Sequence, residues 1–458
     1  GILNAAAADG SQLDPHMRPN HSDEFTFSIQ RSFGSKMSME VGYIGRKIAN
    51  EFQEINIDAV PWMTTLGGQT FAQAYANVYN QICPGSGPLC SAAATATPTP
   101  QPFFEAAMGG PTSPYCAAFA SCTAAVVKNE GSNIRGTKAY STWLDLSNAN
   151  GWTLGRALLA QQPANGRALS GAFDFINSYG HGNYNAAFFS FTARDWHGLT
   201  ARSNFTWGRA LGTGSVVQAS SSITVPNPYD FNSFGTYGVQ PFDVKVTYSL
   251  LMLYQPPYFR SQKGLLGHLL GGWSIAPIFT ARSGQPQRLS TSTNGESFGE
   301  TYSGQTGNYE GAAGFTPFTG GNSAQYNVTP VGTCATPGGT TGVGTSGTTG
   351  MNMFSNPCAI FNEFRRPLLG VDTGSGGFGI RGFPFWNVDA TISKDFRVTE
   401  SIGATMSFQF VNIFNHFVPS DPATSIDSPT TFGVVNNQYT TPNGLQNRSI
   451  EFGLRLRF

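Results

Sequence analysis

The sequence predicts an all-β protein, an antiparallel transmembrane β-barrel. Three observations carry that prediction: long segments in which apolar and polar residues alternate, connections that alternate between short and long, and a composition poor in charge and rich in aromatic side chains.

Of the 458 residues only 11% are charged, and 13% are aromatic, including 36 Phe. Soluble domains carry about 25% charge, so a wholly water-facing surface is not expected. A mean hydropathy of -0.17 agrees with a barrel, whose strands average lipid-facing and lumen-facing residues. No stretch reaches the roughly 18 apolar residues of a spanning helix. The most apolar segment, 244–254, is interrupted by Lys245, Thr247 and Ser249. The 26 basic and 26 acidic residues cancel, leaving no basic footprint for nucleic acid, and no such partner is expected.

The last segment, 449–458, sets the pattern. Ile450, Phe452, Leu454, Leu456 and Phe458 alternate with Glu451, Gly453, Arg455 and Arg457, the period of a strand. Its length suits a membrane-spanning strand of about 9–11 residues. An amphipathic strand of a soluble sandwich would alternate in the same way. The terminal Phe458, with Leu456 and Leu454, resembles the signal read by the outer-membrane barrel assembly machinery. Alternation recurs in 386–396, 402–410, 242–254 and 199–207. Phe25, Phe27 and Ile29 with Met37, Met39, Val41 and Tyr43 predict a first hairpin, and 184–194 and 272–282 bring the count to about nine strands.

Connections at 34–36, 195–198 and 398–401 are short, and 255–271 is intermediate, with Pro256 and Pro257. Those at 46–179, 210–240, 283–385 and 415–448 are long. Barrels of the outer membrane have short periplasmic turns and long external loops, which places the long segments outside the cell. The strand count expected here is odd, whereas bacterial single-chain barrels have even counts, so further strands and a secretory signal are expected upstream. Within 46–179, the segments 138–146 and 152–159 are alternative strands. Phe71, Ala72, Tyr75, Val78, Tyr79 and Ile82 instead show helical spacing and predict a helix in 64–82. The Gly, Thr and Ser of 303–350 predict a mobile loop.

All six cysteines fall in the long loops. In an oxidising compartment, proximity pairs Cys83 with Cys90, Cys116 with Cys122, and Cys334 with Cys358, although six cysteines permit 15 connectivities. They lack zinc-site spacing, so no metal is expected. GESFG at 295–299 spells a nucleophile elbow without the strand and helix that expose its Ser. GVGTSG at 342–347 spells a dinucleotide fingerprint without a βαβ unit. His181 suits a turn or aromatic packing. No catalytic residue and no cofactor site are assigned.

Trp207, Tyr254, Trp273 and Trp386, near strand ends, suit an interfacial girdle; sugar platforms are the alternative. Arg455, Arg457, Glu451, Asp389, Asp243 and Lys245 are expected to face the lumen, lining a substrate path or pairing across strands.

MEVGYIGRK (39–47), SYGHGNYNA (178–186), HGLTARSNFTWGRAL (197–211), GGWSIAPIFTARSGQP (271–286), WNVDATISKDFRVTE (386–400), FQFVNIFNHFVPSDP (408–422) and the closing RSIEFGLRLRF resemble, in order, the barrel of Oar-like TonB-dependent receptors. The resemblance implies a bacterial outer-membrane barrel of about 22 strands, preceded by a regulatory-like domain and a plug, which the chain lacks. It also implies lipid, the assembly machinery and TonB as partners, and uptake of an unidentified nutrient. A structural or adhesive outer-membrane protein, and a secreted glycan-binding β-sandwich, are the competing readings.

Overall fold

The computed structural model describes residues 12–56, 60, 62–83, 90, 97–154, 174–213, 237–240, 242–287, 313–314, 334–336, 339–345, 351–362, 364–365, 368, 380–397, 399, 402–436 and 447–458. Nine strands form one meandering sheet: β1 (His21–Phe33), β2 (Met37–Asn56), β3 (Asp174–Trp196), β4 (Leu199–Gly212), β5 (Val246–Tyr254), β6 (Trp273–Arg282), β7 (Phe385–Arg397), β8 (Gly403–Val411) and β9 (Ser449–Arg457). Each pairs antiparallel with its sequence neighbour. Among the described residues the sheet is open, with β1 and β9 at its edges. Short strands at Gln12–Leu13 and Gly238–Val239 add to β3 and β4.

The turns explain the hairpins. Gly34 adopts φ +65°, the left-handed conformation a tight β1–β2 reversal needs. Gly198, in the β3–β4 turn at φ +84°, lies so close to the Gln255 carbonyl that a Cβ there would sit 2.1 Å from its oxygen. Short connections therefore collect at one end of the sheet, and the four long ones at the other.

Several boundaries differ from expectation. β2 runs on to Asn56 and β3 starts at Asp174, so this hairpin reaches well beyond its neighbours. Expected strand 242–254 begins only at Val246, because Asp243 turns inward to an ion pair. Segment 138–146 is not a strand: Ala139–Asn148 is a helix, whose face Ala139, Tyr140, Trp143 and Leu146 is buried.

That helix, α4, closes a helical unit in the first long loop, with α1 (Phe71–Ile82), α2 (Pro102–Ala107) and α3 (Cys122–Arg135). Thr70 and Gln73 form a capping box for α1, and Ser121 caps α3 by accepting from Ala124 N. Glu105 accepts from the amides of Cys122 and Thr123, at 3.0 and 2.8 Å, where the helix dipole favours a carboxylate. Phe71, Phe103, Phe104 and Trp143 fill the centre, with Phe71 edge-on to Trp143 at 4.9 Å. Disulfides Cys83–Cys90 and Cys116–Cys122 staple it. Cys358 is disulfide-bonded too, while the side chain of Cys334 lies outside the described residues.

A second core joins the third and fourth long loops, where Val343, Phe354, Phe361, Phe364, Ile380 and Phe383 pack with Ile426, Phe432 and Val435. The Asn352 amide donates to the Phe432 carbonyl at 2.9 Å across that contact. Leu368, also of the third loop, is buried in the core of the helical unit. Most of 303–350, and all of 295–299, lie outside the described residues; of that stretch, Cys334–Thr336 and Gly339–Thr341 form a small hairpin.

Candidate functional site

Strand registry sorts the side chains of the sheet into two faces. Residues directly opposite share a face, so Phe27, Tyr43, Ala187, Trp207 and Val246 form one row. Leu250, Phe279 and Val388 form a second row, and Ile275, Ile392, Phe408 and Phe452 a third. This apolar face crosses all nine strands, and its outer members, among them Phe25, Phe27, Ile29, Ile450, Phe452, Leu454 and Leu456, are exposed. The other face carries Gln30 with Glu40 and Ser190 with Asn204. It continues through Thr280 with Asn387 and Ser407 with Gly453 to Gln409 with Glu451. Leu251 opposite Ile278 is an apolar exception on it.

The expected aromatics lie on the apolar face near the strand ends. Trp207 and Trp386 lie toward the long loops, Tyr254 and Trp273 toward the short turns. Trp386 stacks on His416 at 3.8 Å, and the Trp273 indole donates to the Leu269 carbonyl at 3.0 Å. Phe458, after β9, is exposed.

Of the polar candidates, Glu451, Arg455, Arg457 and Asp389 lie on the polar face, opposite Gln409, Thr405, Gly403 and Ile278. Asp389 accepts from Asn387 Nδ2 and Asn412 N, each at 2.8 Å, and so fixes the exit of β8. Lys245 is exposed at the entry to β5, its carbonyl accepting from Gly208 N. Asp243 departs from expectation. It is buried, accepts from Ala210 N at 2.6 Å and pairs with Arg381, which also donates to the Asp243 and Gly284 carbonyls. The pair ties the second long loop to the third. Its reason is physical: a carboxylate removed from water needs a cation and donors.

Beside this tie a cavity of about 650 Å³ lies along the middle of β2 and β3, lined by Tyr43, Trp207 and Arg209, which the registry places on the apolar face, and by Lys245 and Arg381. Tyr43 donates to Asn185 there at 2.5 Å, and the His181 ring stacks on Tyr237 at 5.3 Å nearby. In the fourth loop, Asp421 has its carboxyl pushed above the ordinary range by burial, opposed by a hydrogen bond from Gln287 and the charge of Arg282.

Sequence reasoning missed Arg381 and Lys394. Lys394 sits in the apolar row, opposite Trp273 and Met406, and its signal, a cation where the alternation demands an apolar residue, was present.

The model of the outer-membrane β-barrel domain family matches residues 1–451, and the chain belongs to that family. It is therefore a protein of the bacterial outer membrane. Among solved structures it is similar to the outer-membrane transporter YddB from Escherichia coli, at 8% identity and a TM-score of 0.35, covering 98% of this chain and 33% of that one. It is also similar to the ferric-catecholate import receptor Fiu from E. coli K12, at 8% identity and a TM-score of 0.33, covering 96% and 28%. The chain thus spans about a third of the length of these proteins. No curated protein matches it in sequence.

Proposed function

We propose that the chain is the C-terminal part of the barrel of a TonB-dependent receptor of the Oar-like kind, taking up a scarce nutrient through the outer membrane. The supporting observation is the sheet's division into an apolar face and a polar one beneath interlocked external loops. Short turns then face the periplasm. Glu451, Arg455, Arg457 and Asp389 face an aqueous interior, which the ligand enters from outside between the long loops. The Asp243–Arg381 pair and the shared loop cores hold those loops in one arrangement, so that binding loses little to loop ordering. Energy comes through TonB acting on a plug, and the closing Leu454, Leu456 and Phe458 are read during assembly. No step of this reading requires a catalytic residue.

Growth of cells carrying the whole gene, on single scarce nutrients supplied as iron chelates, cobalamin or oligosaccharides, tests the proposal. A growth advantage on one of them that disappears when TonB is deleted is expected. Surface adhesion conferred by the gene, with no TonB-dependent growth on any of them, would favour the adhesive reading instead.

A further inference from the structure

The β5–β6 connection folds back across the end of the sheet and carries a short helix, α5 (Gly264–Leu270), of sequence GLLGHLL. Its leucines point away from the protein: Leu265 is 87% exposed, Leu266 62% and Leu269 63%. Tyr258 and Phe259 just before it are exposed as well, and the cations Arg260 and Lys263 lie between them and the helix. In water this would be an unusually large apolar patch.

The side of the sheet on which α5 rests is fixed by hydrogen bonds. Lys394 of β7 belongs to the lipid-facing row yet is only 2% exposed. Its ammonium donates to the carbonyls of His268 at 2.7 Å and Leu269 at 3.0 Å, and also to that of Gly271. The rings of Trp273 and Phe396 lie 5.0 and 5.4 Å away. Gln262 fastens the same connection to β7, donating to the Asp395 carbonyl at 2.8 Å and accepting from Arg397 N at 3.0 Å. An ammonium facing hydrocarbon is costly unless acceptors surround it, and the carboxy end of a helix, with its free carbonyls and negative dipole end, supplies them. The lysine thus holds α5 against the lipid face at the periplasmic end, in continuity with the apolar rows.

We propose that α5 and its flanks form a lipid-embedded collar. Leu265, Leu266 and Leu269 enter the acyl chains of the periplasmic leaflet, and Arg260 and Lys263 hold the phosphate of an anionic phospholipid. Arg260 lies 4.0 Å from Asp195, with both side chains largely exposed, so it remains open to a headgroup. The arrangement of leucines, an aromatic pair and two cations is that of an interfacial helix, here attached to a barrel.

The test reconstitutes the full chain in phosphatidylethanolamine vesicles doped with phosphatidylglycerol or phosphatidylcholine carrying a photoreactive acyl chain, and maps adducts by mass spectrometry. Adducts on 264–270 are expected alongside those on β9, several-fold more from phosphatidylglycerol, with that preference lost in the doubly substituted R260E/K263E protein. Labelling of β9 without 264–270 would overturn the collar while leaving the barrel intact. Equal labelling by both lipids, unchanged by charge reversal, would overturn the anionic-lipid assignment. Labelling of neither segment would overturn the lipid face itself.

Discussion

Placing an arginine at either of two adjacent positions in β8 separates the two faces of the sheet at one depth. Ser407 is the middle residue of Gly403–Val411, and Phe408 follows it, so the two differ in height by about 3.4 Å. Phe408 is in the apolar row and packs on Phe452 with ring centroids 5.2 Å apart. Ser407 faces the other way, opposite Gly453, which leaves room for a longer side chain. An arginine on the lipid face near the bilayer midplane costs about 2–4 kcal/mol, and the lost aromatic pair adds about 0.5–1.5 kcal/mol. Phe408→Arg should therefore cost about 2.5–5.5 kcal/mol, whereas Ser407→Arg should stay within about 0.5 kcal/mol of the parent. Urea titration in lipid vesicles, read by the heat-modifiable migration of the folded form, measures both. Equal costs, or a larger cost for Ser407→Arg, would refute the assignment of faces.

Replacing Lys394 by Met takes away the ammonium that donates to the His268 and Gly271 carbonyls; a loss of about 1–3 kcal/mol is expected, with faster proteolysis of the β5–β6 connection as the local readout. In the helical unit, burial holds the Glu130 carboxyl above its ordinary pKa, opposed by a hydrogen bond from Asn133 and reinforced by the neighbouring Asp145. A raised folded-state value means that stability is greatest below the unfolded pKa and falls as pH rises through the folded one. Glu130→Gln should thus raise the thermal midpoint of the helical signal at pH near 8 and leave it nearly unchanged in acid. Reducing Cys83–Cys90 and Cys116–Cys122 opens two small loops, each worth about 2–3 kcal/mol. It should lower the helical midpoint while the heat-modifiable migration of the sheet stays as it was.

The sheet was legible because its signal is local and repeated. Each face of β7, β8 and β9 is written every second residue, and neighbours reinforce one another through rows such as Ile392, Phe408 and Phe452. The helical unit was legible only at α1, whose Phe71, Tyr75, Val78, Tyr79 and Ile82 line one side. α3 carries Lys128, Asn129, Gly131 and Ser132 and depends on tertiary burial, while α2 has six residues, too few for a period to show. Segment 138–146 was open to a strand reading because its aromatic Tyr140 and Trp143 are as common in strands; the buried face they make with Leu146 is helical. Arg381 and Lys394 escaped because their partners are remote: Asp243 is 138 residues from the first, and His268 is 126 from the second. Polarity alternation assigns a face, not a partner.

The claim beneath all of this is that one set of alternate side chains meets acyl chains and the other meets water. A nitroxide scan along β9, one introduced cysteine at a time from 449 to 457 in vesicles, tests it most directly, since no described cysteine is free to compete for the label. Oxygen accessibility should peak at positions 450, 452, 454 and 456, and accessibility to a water-soluble nickel chelate at 451, 453, 455 and 457. Low accessibility to both reagents at 452 and 454 would mean that protein, not lipid, covers them, and would contradict the account.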